Sequence, residues 1–236
     1  MNNNLAIENV VYVADIGADI DDLITIEFLH TIDALKCVVL DGKSTDENRI
    51  KEVKNMGIEI LEDIPAGTDF VFCGGSFTKI AKYLRNNKLK LLVANGGFAG
   101  CNVVQPEDEL PKFKGKTSIR TFNLNMDVNA GKEVLDSKNV DRIILVSKNV
   151  CHSEINVRGI LHKDEFLNKY KLKQDKRLHD LLMAKEGILY LNNQHSICDY
   201  MTIDYILERE KSDVNCRWGS KINYDSNIYI TVGYHK

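Results

Sequence analysis

The chain has 236 residues, of which 44% are hydrophobic and 28% are charged, and its formal net charge is −3 at pH 7. These values are typical of one sizeable globular domain, which we expect to span residues 1–236. The small negative charge argues against nucleic acid or an anionic membrane as a partner, and no apolar run reaches the roughly 18 residues that a membrane span needs.

Short runs rich in Val, Ile and Leu alternate with helical patterns along the chain. Strands are predicted at 10–15, 36–41, 69–74, 90–95, 142–147 and 228–233, and helices at 21–34, 46–56, 76–86, 128–138 and 198–210. The strands are apolar nearly throughout, which indicates that both of their faces are buried. The alternation predicts a single α/β domain with a mostly parallel, Rossmann-like sheet and helices on both faces.

Residues 103–119 break this alternation. They are polar and carry two of the three prolines of the chain. The segment therefore predicts a long exposed loop or a lid.

The cysteines and the first ten residues are the features from which we predict the cellular compartment. Six cysteines are spread along the chain without a C-x-x-C pair, mostly in apolar stretches. This is more typical of reduced thiols in a cytoplasm than of a disulfide framework or a zinc site. The opening residues, MNNNLAIENV, show no signal peptide pattern, so we expect a cytoplasmic protein.

An acidic cluster directly follows the first predicted strand. Its four carboxylates stand within eight positions, at Asp15, Asp19, Asp21 and Asp22. Helix N-capping would explain one or two of them. An EF-hand is a poorer explanation, because the positions that need Gly and Glu hold Ile20 and Ile26. A divalent cation would remove the mutual repulsion of the carboxylates, so the cluster predicts a metal site.

Other polar segments follow later strands, where ligands bind in parallel sheets. They are NGGFAGCN (95–102), TFNLNMD (121–127), SKNVCH (147–152) and HSICDYMTIDYIL (195–207). Each has an ordinary explanation when it is taken alone. Asn123 would then be a turn residue, Asp199 a helix cap and His195 a surface residue.

Taken together, these segments resemble the inosine–uridine-preferring nucleoside hydrolase family. VADIGADIDD (13–22) is similar to the aspartate-rich opening of the family, D-T-D-x-G-x-D-x-D-D or D-T-D-P-G-x-D-D. Weaker matches follow in family order over most of the chain, at CGGSFTKIAKYLR (73–85), NGGFAGCN, TFNLNMDVNAG (121–131), KNVCH (148–152) and HSICDYMTI (195–203).

The resemblance implies a Ca²⁺-dependent N-ribohydrolase that cleaves a ribonucleoside to free base and ribose for nucleobase salvage. It implies a homodimer or a homotetramer whose partner is a small nucleoside. The implied Ca²⁺ ligands are Asp15, Asp22, Asp199 and the backbone carbonyl of Cys151. Asp15 would also be the catalytic base.

The resemblance further implies a set of substrate contacts. Asp21 and Asn123 would hold the ribose hydroxyls, Asn102 would reach the 5′-hydroxyl, and Thr121 stands where the family has a ribose-binding Glu. Cys198 stands where the family has a His, so His195, His152 or His179 is a candidate acid for the leaving base, and His195 is the one chosen as the catalytic candidate. A base that needs no protonation at N7, such as the 7-deazapurine of queuosine, is the alternative.

Two other functions stay open at this point. The changes at Thr121 and Cys198 would also suit a relative that binds nucleosides without cleaving them. Acidic strand ends also suit a metal-dependent phosphoryl-transfer enzyme, although the chain has no P-loop motif G-x-x-x-x-G-K-[ST].

Overall fold

The computed structural model describes residues 8–17, 21–31, 33–42, 45–101, 104, 106–149, 222–223 and 228–229. The first half of the described chain contains β1 (Val10–Ala14), α1 (Asp21–Thr31), β2 (Leu35–Leu40), α2 (Glu47–Asn55), β3 (Ile60–Leu61), β4 (Phe70–Cys73) and α3 (Thr78–Leu84). The second half contains β5 (Leu89–Asn95), α4 (Phe122–Met126), α5 (Val128–Leu135), β6 (Val140–Val146), β7 (Ile222–Asn223) and β8 (Ile228–Tyr229).

One sheet of six parallel strands has the order β3-β2-β1-β4-β5-β6. The chain builds outwards from β1 to β3 and then returns to place β4 on the other side of β1. This reversal creates a crevice at the carboxyl ends of β1 and β4, which is where such sheets bind ligands. The predicted α/β fold with a mostly parallel sheet is confirmed.

Both faces of the sheet are covered by helices. Side chains on one face pack with α3 and α5 and include Val11, Val13, Val39, Val71 and Leu92. Side chains on the other face pack with α1 and α2 and include Val10, Tyr12, Val38, Phe72 and Val93. Neighbouring residues of a strand point to opposite faces, so strands buried on both sides need apolar residues at nearly every position.

Several short elements of the described structure were not predicted from the sequence, among them β3, α4 and β7. β3 has two residues, too few for a recognisable apolar run, and α4 is a single turn of polar and apolar residues. The predicted strand at 228–233 is described only at 228–229, which pair antiparallel with 222–223 outside the main sheet. The predicted helix at 198–210 lies outside the described residues.

The segment predicted as an exposed loop has a small apolar core of its own. Phe98, Leu110 and Phe113 are buried together, with Ile119 packed against them. The rings of Phe98 and Phe113 meet edge to face, with their centroids 5.1 Å apart. The loop is therefore packed onto the residues that follow β5, while its function as a lid stays a prediction. No helix in the described ranges is long and apolar enough to cross a membrane.

Candidate functional site

The acidic cluster begins with a tight turn after β1. Asp15 directly follows the strand and accepts a hydrogen bond of 3.2 Å at Oδ1 from the amide of Gly17. Ile16, which lies between them, is fully buried and has a φ of 45°. A β-branched residue rarely adopts this left-handed conformation, which costs on the order of 1–3 kcal/mol and is tolerated where the surroundings enforce it.

Asp22 helps to hold Ile16 in this conformation, because its buried side chain accepts a hydrogen bond from the backbone of the turn. Its side chain is 2% exposed and lies in the first turn of α1. The hydroxyl of Tyr12 donates to its Oδ1 at 2.6 Å, and the amide of Ile16 donates to its Oδ2 at 2.8 Å. Each carboxylate oxygen is thus fixed by a separate donor, so the orientation of Asp22 is set by β1 and by the turn that follows it.

A second set of contacts ties the turn to α2. The carbonyl of Ile16 accepts from the amide of Asp46 at 2.9 Å. The carbonyl of Gly17 accepts from Nη1 of Arg49 at 3.1 Å, and Arg49 is 8% exposed. The backbone beside Asp15 is therefore held from two helices, which explains how the strained Ile16 is maintained.

Asp21 has a more local part in the described structure. It is the first residue of α1, and its Oδ1 accepts from the amide of Asp22 at 3.2 Å. The bond lies within the first turn of α1, where a carboxylate also suits the helix dipole. Its predicted contact with ribose stays a prediction.

Asp41 is a buried carboxylate that was not predicted as a site residue from the sequence. It follows β2, is 6% exposed, and accepts at Oδ2 from the amide of Lys79 in α3 at 2.8 Å. Burial raises the pKa of Asp41, against the opposing effects of the Lys79 amide and the Ser76 hydroxyl. Its position after a strand was the available signal, but its helix partner is 38 residues away.

Asn123 links the ends of two strands. Its Nδ2 donates to the carbonyl of Gly74 at 2.7 Å and to the carbonyl of Asn95 at 3.0 Å. The amide of Gly74 in turn donates to the carbonyl of Val13 at 2.8 Å, which brings Asn123 to the edge that carries Asp15. Because Nδ2 is used in these bonds, the amide oxygen is the group that could accept a hydrogen bond from a ligand.

Thr121 is fully buried beside this link. Its hydroxyl oxygen has an accessible area below 1 Å² and makes no hydrogen bond within the described part of the chain. A ligand would therefore reach this hydroxyl only after a local rearrangement. The predicted substrate contact of Thr121 stays a prediction.

Asn149 is another residue at the edge of the site, and it lies in a segment noted in the sequence without being chosen itself. Its Oδ1 accepts from the amide of Ala99 at 2.9 Å, and its Nδ2 donates to the carbonyl of Ala99 at 2.9 Å. The amide of Lys148 also donates to the carbonyl of Gly97 at 3.0 Å. These bonds join the segments that follow β5 and β6 at the same edge of the sheet.

The structure brings some of the predicted residues together and leaves others outside its description. Asp15, Asp21, Asp22, Thr121 and Asn123 are described near the carboxyl edge. The remaining candidates lie outside the described residues, namely Asn102, Cys151, His152, His179, His195 and Asp199. Within the ranges that the structure describes, no group of three or more His, Cys, Asp and Glu residues could hold a metal ion.

A solved structure of an "Inosine-Guanosine Nucleoside Hydrolase (IG-NH)" is similar to this chain, with a TM-score of 0.59 and 15% sequence identity. The two proteins share a fold. The similarity covers 93% of this chain and 83% of that hydrolase. No protein-family model matches the sequence, and no curated protein matches it significantly. At 15% sequence identity, the similarity shows a shared fold and does not show a shared activity.

Proposed function

We propose that this protein is a Ca²⁺-dependent nucleoside N-ribohydrolase that releases free base and ribose from a ribonucleoside. A purine or a modified purine such as queuosine is the substrate class that we favour, and nucleobase salvage is the role. We further propose a cytoplasmic homodimer or homotetramer. One observation carries the proposal. Asp15 and Asp22 lie at the crevice of the parallel sheet, and the fold that contains this sheet is similar to that of a nucleoside hydrolase.

The described carboxylates suit a hard cation in their chemistry. Asp22 presents oxygens that are already oriented by Tyr12 and Ile16, and Asp15 stands next to Ile16 on the same turn. Oxygen ligands of this kind are what Ca²⁺ prefers. The proposed set adds Asp199 and the carbonyl of Cys151, because two carboxylates alone are too few for this ion.

When bound, the cation would supply positive charge that makes water a better nucleophile. Asp15 would accept a proton from the attacking water, because it is the partly exposed carboxylate of the turn. Asp22 would keep its fixed orientation throughout the reaction. Asp21 and the amide oxygen of Asn123 would hold ribose hydroxyls as the sugar gains positive charge.

Departure of the base needs a proton or a pocket that stabilises the leaving group. We propose His195 as the acid, since a thiol such as that of Cys198 is a weak acid unless it is activated. A 7-deazapurine lacks N7 and would need no such acid. Turnover of purine and 7-deazapurine nucleosides therefore tells the two routes apart.

A nucleoside-binding protein without hydrolase activity is the second candidate. The buried hydroxyl of Thr121 favours it, because this position is covered where a ribose contact is implied. The two candidates differ in turnover and not in ligand affinity. Binding of nucleosides without release of ribose would therefore support the second candidate.

The test is release of ribose from a panel of nucleosides, with and without EDTA. We expect activity that EDTA removes and that added Ca²⁺ restores. Asp22→Ala should abolish both Ca²⁺ binding and ribose release, whereas Asp69→Ala, which removes an exposed carboxylate paired with Lys90, should change neither. A purified enzyme that is free of metal and fully active would contradict the proposal, and release of phosphate from nucleotides would indicate phosphoryl transfer instead.

A further inference from the structure

Gly42 lies directly against Asp15. It is the second residue after β2, and β2 is the parallel neighbour of β1 in the sheet. A Cβ at position 42 would lie closer than 3.0 Å to the Cβ of Asp15, 3.1 Å from its Cα and 3.5 Å from its Cγ. Real Cβ atoms essentially never approach another atom so closely, so a side chain here would have to displace Asp15.

The usual reasons for glycine do not apply at this position. The φ angle of Gly42 lies outside the left-handed region, so its backbone conformation does not demand glycine. Gly42 is also exposed, so a crowded interior does not demand it either. The space that Asp15 occupies is the remaining physical reason.

Gly75 approaches the same residue from the other neighbouring strand. A Cβ there would lie 2.7 Å from the carbonyl oxygen of Asp41, 3.3 Å from the carbonyl carbon of Ala14 and 3.3 Å from the amide nitrogen of Asp15. The two glycines therefore flank Asp15 from β2 and β4. Its side chain and its backbone each have a glycine beside them.

Hydrogen bonding alone fixes Asp15 weakly. Within the described residues its carboxylate accepts one hydrogen bond, from Gly17 at 3.2 Å. Asp22, by contrast, accepts bonds of 2.6 Å and 2.8 Å on its two oxygens. The position of the Asp15 carboxylate must therefore depend on packing against its neighbours, and among the described residues Gly42 lies directly against its side chain.

We propose that Gly42 is a positioning residue for Asp15, because the absence of a side chain at position 42 sets where the Asp15 carboxylate lies. This inference rests on the proposed function in one respect, since the proposed function is what makes Asp15 the catalytic base and a cation ligand. A methyl group at position 42 would rotate Asp15 or separate the ends of β1 and β2. Either change would move the carboxylate away from the water and the cation.

The test compares Gly42→Ala with Gly67→Ala. A Cβ at position 67 would meet no atom within 4 Å, but the φ of Gly67 is +75°, so alanine there strains the backbone far from Asp15. Both variants should lower the melting temperature. Only Gly42→Ala should lower kcat, by about 10²-fold, the loss that a displacement of roughly 1 Å can cause, with less than about a threefold change in KM.

A stability measurement without metal tests the contact itself. Gly42→Ala should lower the melting temperature clearly in the wild-type background and much less in the Asp15→Gly background, where the clashing Cβ is gone and only the contact of 3.1 Å with the Cα of residue 15 remains. The same loss in both backgrounds would show that Gly42 does not act through Asp15 and would overturn the inference.

Titration with Ca²⁺ alone separates failure of this inference from failure of the proposed function. We expect Gly42→Ala to bind Ca²⁺ at least tenfold more weakly than Gly67→Ala does. Equal Ca²⁺ affinities in the two variants would overturn the positioning role and leave the proposed function standing. A wild-type protein that binds Ca²⁺ but cleaves no nucleoside would refute the proposed function, while a weaker affinity in Gly42→Ala would still support the positioning role.

Discussion

Tyr12→Phe removes a single oxygen atom and, of the donors that the described residues supply to Asp22, the one on Oδ1. Tyr12 lies in the middle of β1, its side chain is 1% exposed, and its ring packs in the core between the sheet and helices α1 and α2. Phenylalanine keeps that packing. The substitution therefore removes the bond of 2.6 Å between the hydroxyl and Oδ1 of Asp22 while it leaves the ring in place.

The expected loss follows from the burial of both partners. A hydrogen bond to a charged group contributes about 1.5–3 kcal/mol, and water cannot replace the missing donor at a site that is closed to solvent. Asp22 keeps the amide of Ile16, so the loss should stay within that range. With a typical dependence on denaturant, this corresponds to a fall of roughly 0.5–1.5 M in the urea midpoint.

Tyr83→Phe is a matched control with uncharged partners. The hydroxyl of Tyr83 is buried, and within the described part of the chain it bonds to the backbone amide and carbonyl of Thr68, at 3.0 Å and 3.1 Å. Urea unfolding of both variants should be followed at pH 7. The midpoint should fall further in Tyr12→Phe, because its hydroxyl donates to a carboxylate, whereas the hydroxyl of Tyr83 bonds to neutral backbone groups. An unchanged midpoint for Tyr12→Phe, or a larger fall in Tyr83→Phe, would refute the reasoning.

Two further predictions concern Asp41 and Asn123. Burial raises the pKa of Asp41 above its ordinary value of 3.8, so the stability that this group contributes is present below that pH and is lost as the pH rises through its raised pKa. Asp41→Asn should therefore raise the melting temperature at pH 7 and not at pH 3 or below. Asp63→Asn is the control and should lower the melting temperature slightly at pH 7, because the hydrogen bond from Lys82 lowers the pKa of Asp63. A melting temperature of Asp41→Asn that does not rise at pH 7 would contradict the prediction. Asn123→Asp keeps the shape of the side chain but cannot donate to two carbonyls. Its free energy of unfolding, measured with urea, should therefore fall by about 1–3 kcal/mol, at least as far as that of Asn123→Ala. Equal stability of Asn123→Asp and wild type would show that this link between β4 and β5 is unimportant.

The sequence predicted the sheet well because its strands are buried on both faces. An apolar run such as VVYVA at 10–14 needs no knowledge of its neighbours to be recognised as a buried strand. The first residue of α1 was also predicted, since Asp21 and Asp22 stand before a helical pattern. The two-residue β3 escaped prediction, because its pairing with β2 depends on tertiary contacts and not on a local pattern.

The candidate site was predicted in its residue types and not in its contacts. Asp15, Asp22 and Asn123 stand in segments whose composition is visible in the sequence. What each side chain contacts depends on which strands become neighbours. Asn123 illustrates the limit, because the sequence suggests a residue that contacts substrate, whereas the structure adds a link between Gly74 and Asn95.

The acidic cluster shows why such contacts escape a linear reading of the sequence. The carboxylates are next to one another in the chain, yet the structure gives them different surroundings. Asp22 is oriented by a strand residue ten positions earlier, Asp15 lies against a glycine from the neighbouring strand, and Asp21 contacts its own helix. Because different neighbours fix them, Tyr12→Phe should act first on Asp22 and Gly42→Ala first on Asp15, while the turn through Ile16 that joins the two residues couples the two effects.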